Sequence, residues 1–297
     1  MKHFARRTYR ESPDWKTLDW VCYWVLNPAL LFTSAAQKPI GINTVVANGG
    51  WIWALMISGL ILGSLVRRFQ PISSVEFASR WQTAWRFNSV VGLAATSLIS
   101  PDAVQIMAIF IGASVPLANL MAVSALAISS GQKQPGWIWR CMKSVLLNPF
   151  FLSSGGGLVF SLTAASQAWV IDSLTFRVIF EILQLLAVAA IPLSLIAVGT
   201  AVIWKDLGRF DRVSLYLHVV KLVGLPILAC GASLIFDIPS PTAIALIVFS
   251  ALPTSTSSHV LGAAYGAARE PTALIVSQST VFACLTLPLW MAIAINL

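Results

Sequence analysis

Hydrophobic runs alternate with short polar gaps along almost the whole chain. Apolar stretches near the length that spans a bilayer as a helix, about 20 residues, fall at roughly Asp19 to Ala36, Val45 to Val66, Phe77 to Ile99, Ala103 to Ser129 and Val145 to Leu162. Others follow at Phe180 to Trp204, Leu215 to Phe236, Thr242 to Gly266 and Leu274 to Leu297. The pattern predicts an all-α, polytopic membrane protein with nine transmembrane segments. Lys and Arg sort into alternate gaps. One set holds Arg67, Arg68 and Arg80, then Lys133, Arg140 and Lys143, then Lys205, Arg209 and Arg212, then Arg269, whereas the other holds only Lys38 and Arg177. Under the positive-inside rule this places the N-terminus in the cytoplasm and the C-terminus outside. One missed or invented helix would scramble the alternation, so it also supports the number of segments.

Polar interruptions inside the apolar runs point to function. In Leu252-Pro253-Thr254-Ser255-Thr256-Ser257-Ser258-His259, five hydroxyl residues and a histidine follow a proline at membrane depth. Hydrocarbon cannot satisfy the backbone groups that such a break frees, so the segment must be packed inside protein or line a cavity. Asn27-Pro28, Asn148-Pro149, Pro192 and Pro226 remove further helical hydrogen bonds, Pro226 and Pro288 being read as tolerated kinks. Asn27-Pro28-Ala29-Leu30-Leu31-Phe32 weakly resembles Ile191-Pro192-Leu193-Ser194-Leu195, five spans on. A five-helix repeat inverts in the membrane. The partner of the eighth span is then the third, where Arg86-Phe87-Asn88-Ser89 and Gly92 interrupt the apolar run.

Two broken helices in corresponding positions predict a midplane site formed by Asn88 and Ser89 with Pro253, Thr254, Ser255, Thr256 and Ser257. Their exposed N-terminal N–H groups and dipoles suit an anion, and a carboxylate fits. Arg86 is a candidate to neutralise it, although snorkelling to the surface is the preferred reading there and at Lys221. His259 titrates in the range a proton-coupled cycle needs, against the blander role of a hydrogen-bonded structural histidine. Asn119, after Pro116, either lines the cavity or bonds a neighbouring helix.

Composition agrees with a membrane protein: 57% of the 297 residues are apolar and 10% charged, against roughly 25% charged in soluble domains. The net charge of +8 is scattered in short clusters, which argues against nucleic acid as a partner. Residues 1 to 17 form a basic cytoplasmic tail without a signal-peptide cleavage site. Cys22, Cys141, Cys230 and Cys284 have no ligand spacing and read as small hydrophobes. Trp51, Trp53, Trp137, Trp139, Trp204 and Trp290 read as interfacial anchors. No metal or cofactor is expected, and no phosphate-binding loop suggests ATP use.

The runs Asn27-Pro28-Ala29-Leu30-Leu31-Phe32, Arg86-Phe87-Asn88-Ser89 with Gly92, Val115-Pro116-Leu117-Ala118-Asn119, Asn148-Pro149, Ala190-Ile191-Pro192-Leu193, Leu225-Pro226 and Ala251-Leu252-Pro253-Thr254-Ser255-Thr256 with Tyr265-Gly266 resemble the bacterial branch of the auxin efflux carrier family. In order and spacing they cover nearly the whole chain. The resemblance implies ten helices in two inverted five-helix repeats whose fourth and ninth helices break where they cross. It also implies a scaffold of helices one, two, six and seven beside a moving transport domain, a homodimer through the scaffold, and carriage of malonate-like carboxylates or, in plants, auxin. Here the chain would be one integral transporter domain, with 18–129 as a first repeat lacking its first helix and 137–297 as the second. The family's apolar first helix has no counterpart before Asn27, and the favoured expectation is a start codon placed too late rather than a true nine-helix form.

The leading functional expectation is a secondary carrier of a small organic anion, working by alternating access in the bacterial cytoplasmic (inner) membrane. A transport-inactive sensor or assembly partner is the runner-up. An intramembrane hydrolase using Ser257 or Ser258 with His259 ranks below both, since neighbouring side chains on a helix point apart and no accompanying catalytic motif is present. The protein is therefore expected not to be an enzyme.

Overall fold

The computed structural model describes residues 13–68, 71–131, 139, 142–143, 146–163, 173–204 and 206–297. The basic tail before Pro13, and with it Lys133, Trp137, Arg140, Cys141 and Lys205, lies outside the described residues. Within them every regular element is helical.

The first segment joins α1 (Pro13–Val21), a π turn (Cys22–Leu26) and α2 (Asn27–Ala35). Helix thus begins before the apolar run does, because Pro13 is preorganised for a first turn and the polar residues after it are compatible with helix. Helix α3 (Ile42–Ser64) is the second segment. The third is broken into α4 (Ser74–Trp81) and α5 (Ser89–Ser97), and the fourth is α6 (Pro101–Ser129). Next come α7 (Pro149–Thr163) and α8 (Leu174–Thr200). The seventh segment is α9 (Arg212–Val219), a second π turn (Val220–Gly224) and α10 (Leu225–Ile235). The eighth is broken into α11 (Ser240–Ala251) and α12 (Ser257–Ala264), and α13 (Arg269–Asn296) is the ninth. Among the described residues five helical stretches are long and apolar enough to cross a membrane unbroken; the other four segments are the broken pair, the π-bulged first segment and the short α7.

Local chemistry sets these boundaries. Ser73, Ser100 and Ser173 accept N–H bonds from the first turns of α4, α6 and α8, supplying partners the helix start lacks. Each π turn immediately precedes a proline, Pro28 or Pro226, and the residue before that proline bonds five back, to Cys22 O or Val220 O. A tryptophan mends one proline's missing donor. Trp290 Nε1 donates to Leu222 O at 2.9 Å, the carbonyl four residues before Pro226. In hydrocarbon a freed carbonyl needs such a protein donor. Trp53 Nε1 donates at 2.9 Å to Ala113 O, near Pro116 and joining the second and fourth segments. Trp290 is thus a helix-mending donor, and both tryptophans bond backbone carbonyls of neighbouring segments.

The polar gaps gather at two ends. At one, Arg80 pairs with Asp211, Ala268 N–H donates to Glu76 Oε2 at 3.2 Å, and the Arg67 guanidinium lies 3.9 Å from the Phe77 ring centroid. At the other, Lys38 pairs with Asp102 at 2.6 Å while Gln105 and Ser161 donate to Lys38 O. This separation matches the alternation of basic and non-basic gaps.

The broken segments stand five apart, an odd number of crossings, so they run in opposite directions as inverted repeats require. They meet at their breaks, where Asn88 N–H donates to Pro253 O at 2.9 Å. Close approach there depends on Gly92, since a Cβ at this position would lie 2.9 Å from Leu252 Cδ1 and 3.1 Å from Met107 Sδ. Buried Phe87, Phe110 and Phe249 pack beneath the crossing, with ring centroids 4.4 Å apart for Phe87–Phe249.

Candidate functional site

Each break creates the start of a short helix. Asn88 caps α5, its Oδ1 accepting the N–H groups of Val90 at 3.2 Å and Val91 at 3.4 Å. At α12 the residue before the helix, Thr256, makes no side-chain cap; Ser255, one further back, accepts the Ser258 N–H through its carbonyl at 3.1 Å and the Ser257 N–H through Oγ at 3.3 Å, and its Oγ lies 2.8 Å from Ser257 Oγ. Both helix starts face a cavity of about 1050 Å³.

Arg86 closes the cavity at the crossing. Only 7% exposed, it donates through Nη2 to Ser257 Oγ at 2.8 Å and to Asn119 Oδ1 at 3.2 Å. One guanidinium edge therefore ties the third, fourth and eighth segments together. The other amino group, Nη1, is buried without a hydrogen-bond partner. A buried cationic donor left open in this way is costly in isolation, and an anionic oxygen placed beside it relieves the cost. Snorkelling is thus overturned for Arg86: the break puts it at the crossing, where the surface is out of reach.

The site residues expected from the sequence divide into two groups. Arg86, Asn88, Ser89, Asn119, Ser255, Thr256 and Ser257 line the cavity together. Pro253, Thr254 and His259 do not. Pro253 offers its carbonyl to Asn88, and Thr254 turns its N–H to Ser279 Oγ at 3.0 Å, so these two hold the crossing rather than face the space. His259 is 4% exposed on the opposite side of α12 from Ser257; two residues along a helix is a turn of about 200°. On that buried side Gly262 allows α12 to approach Ser79 of α4. Asn119 fulfils both of its alternatives, lining the cavity and bonding Arg86. Ser257 Oγ is engaged by Arg86 and Ser255, and Ser258 Oγ is buried without a partner, which leaves the hydrolase reading without a Ser258–His259 hydrogen bond.

The opposite wall was not singled out as a site. Tyr23, Trp24 and Asn27 of the first segment, Asn148 and Phe150 at the start of the fifth, and Ser194 of the sixth face the same space. Ser194 Oγ donates to Asn27 Oδ1 at 3.0 Å, and the Tyr23 ring lies 5.2 Å from that of Phe150. A signal existed: asparagine before proline within an apolar run, at Asn27 and Asn148, is a polar group at membrane depth as much as a kink.

The cavity thus has one wall from the first, fifth and sixth segments and another from the third, fourth and eighth. A comparison with curated proteins finds no match. A family model described as membrane transport protein matches residues 139–291, just over half of the chain and including α7 to α12 with most of α13. Together with the crossed, broken helices, this match shows that the chain belongs to the membrane transport protein family, the auxin efflux carrier family, and is a multi-pass membrane transporter.

Proposed function

We propose that the protein is a secondary carrier of a small organic anion, a carboxylate, held between Arg86 and the starts of α5 and α12. The observation that carries this reading is Arg86, a buried guanidinium at the crossing that lines a cavity of about 1050 Å³ and whose Nη1 has no hydrogen-bond partner. A carboxylate oxygen that reaches Nη1 through a small shift of the guanidinium completes its hydrogen bonding, and charge-assisted bonds of this kind are the stronger class. Asn119 and Ser257 keep the guanidinium plane fixed before the anion arrives. The partial positive ends of α5 and α12 add to its field, while Tyr23, Trp24 and Phe150 present apolar surface to the remainder of the molecule.

The position of the cavity between two groups of segments supports alternating access. The wall formed by the first, fifth and sixth segments acts as the scaffold, and the crossed helices with their neighbours shift against it, carrying the anion from one side to the other. The end that holds Arg67, Arg68, Arg80, Arg209 and Arg269 faces the cytoplasm of a bacterial cell. The test is movement of labelled malonate, malate and indole-acetate in vesicles containing the full chain, against protein-free vesicles. Movement of at least one is expected; none, with correct insertion demonstrated, contradicts the reading.

A further inference from the structure

The described residues hold a second buried cation, and the anion site does not use it. Lys221 is 2% exposed. It sits on the π turn Val220–Gly224 ahead of Pro226, and such bulges recur at functional positions. Its ammonium lies 6.0 Å from the centroid of the Phe249 ring. Among the described residues no carboxylate or hydrogen-bond acceptor reaches it. The surface is out of reach too, so the expectation that Lys221 snorkels is overturned.

An ammonium removed from water with neither counter-ion nor acceptor is costly. Two events relieve it: arrival of an anion, or departure of its proton. Lys221 lies apart from the cavity lining and is enclosed by the second, third, eighth and ninth segments, which leaves the proton. On those elements, Ile42–Ser64, Gln82–Ala84 and Ser240–Ala251 carry no charged side chain. The ninth segment contributes Arg269 and Glu270 at its start and Cys284 farther on, and Lys221's own segment contributes Asp211, Arg212, Tyr216, His218 and Cys230. Of these, His218 stands one turn from Lys221 and is 5% exposed. Its Nε2 lies 3.0 Å from Gln278 Oε1, and Gln278 Nε2 donates to Leu207 O at 3.0 Å and Arg209 O at 2.7 Å. The imidazole is thereby tied through Gln278 to the 206–211 loop, three residues before the lysine on the same segment.

We propose that Lys221 is the proton-binding site of the transport cycle, served by His218 and separate from the anion site at Arg86, so that one proton accompanies one anion. Lys221 Nζ takes a proton from water through His218, becoming ammonium, and returns it to water on the other side. No other reactant is consumed. The coupling runs through the aromatic pair beneath the crossing, for the Phe249 ring beside Lys221 is 4.4 Å from Phe87, the neighbour of Arg86. Like charges on either side of that pair repel most strongly in a low dielectric. An anion on Arg86 cancels one charge and so favours the proton on Lys221, and the proton favours the anion equally. This inference rests on the carrier reading above.

The test uses the full chain in liposomes with labelled malonate, malate and indole-acetate under an imposed pH difference. For a probe that moves, one proton per anion gives about tenfold accumulation across one pH unit. Lys221→Met is expected to abolish that accumulation and to leave a weakened exchange of labelled for unlabelled probe that no longer depends on pH. Lys221→Arg, permanently charged, is expected to abolish it as well. Thermal unfolding of both variants confirms that they fold. Accumulation that survives in a folded Lys221→Met protein overturns the proposal. If no probe moves, the carrier reading fails separately, and 15N-lysine NMR of the full chain decides the lysine. The signal missing in Lys221→Met should gain and lose its proton within the pH range the protein tolerates, and one that remains ammonium throughout overturns the proposal.

Discussion

Asp211 shows how one side chain can tie two distant segments. Burial pushes its carboxyl up, but the Ser214 N–H and the Arg80 guanidinium outweigh that and hold it below the usual carboxylate range. Because the folded value is depressed, the stabilisation is complete above the unfolded value of about 3.9 and is lost as pH falls through the folded value. Asp211 also caps α9 by accepting the Ser214 N–H at 2.6 Å. Asn caps as well as Asp, so Asp211→Asn should remove the ion pair alone, lowering thermal stability near neutral pH and flattening its decline in acid. An unchanged acid limb would show that other carboxylates set it. Trp290→Phe should cost about 1 kcal/mol, the worth of one hydrogen bond, because Leu222 O loses the donor that replaces the missing Pro226 N–H. Thermal unfolding in detergent reads both. At this scale the sequence was least informative. Burial of Arg86 and Lys221 depends on which neighbours enclose them, and whether His259 or Ser257 faces the cavity depends on the residue at which α12 begins. Neither is a property of hydropathy.

The elements were far more legible. Nine apolar runs and their breaks at Asn88–Ser89 and Pro253–Ser257 reappear in the described helices, and of the basic gaps those around Arg67, Arg80 and Asp211 gather at one end. A proline or a cluster of hydroxyls in an apolar run has few tolerable fates in lipid, so the interruption itself carries the information. The bulged halves of the first and seventh segments were less visible, since a π turn before proline differs from a simple kink only in which carbonyl the preceding N–H selects. At the crossing, Gly92→Val is expected to destabilise by about 1–3 kcal/mol through overpacking, as the new side chain meets Leu252 and Met107. It should also weaken probe binding, because it pushes α5 away from Ser257. A folded Gly92→Val protein with unaltered thermal stability would contradict the close approach described here.

Across the whole molecule, two buried cations flank one crossing. Arg86 faces a cavity between two groups of helices, and Lys221 lies on the far side of the Phe87–Phe249 pair. His259, a proton-group candidate set against the blander role of a hydrogen-bonded structural histidine, does not line the cavity, and the proton site proposed above lies on the seventh segment. Under the proposed cycle, that arrangement would give the anion and the proton separate sites. The most direct measurement is the apparent affinity for whichever labelled carboxylate moves, compared between the unaltered chain and a folded Arg86→Gln variant in vesicles. Truncating a buried hydrogen-bonded charge costs about 2–5 kcal/mol, so the affinity should fall by about 30-fold or more. An Arg86→Gln protein that transports the same probe with unchanged affinity would contradict the account.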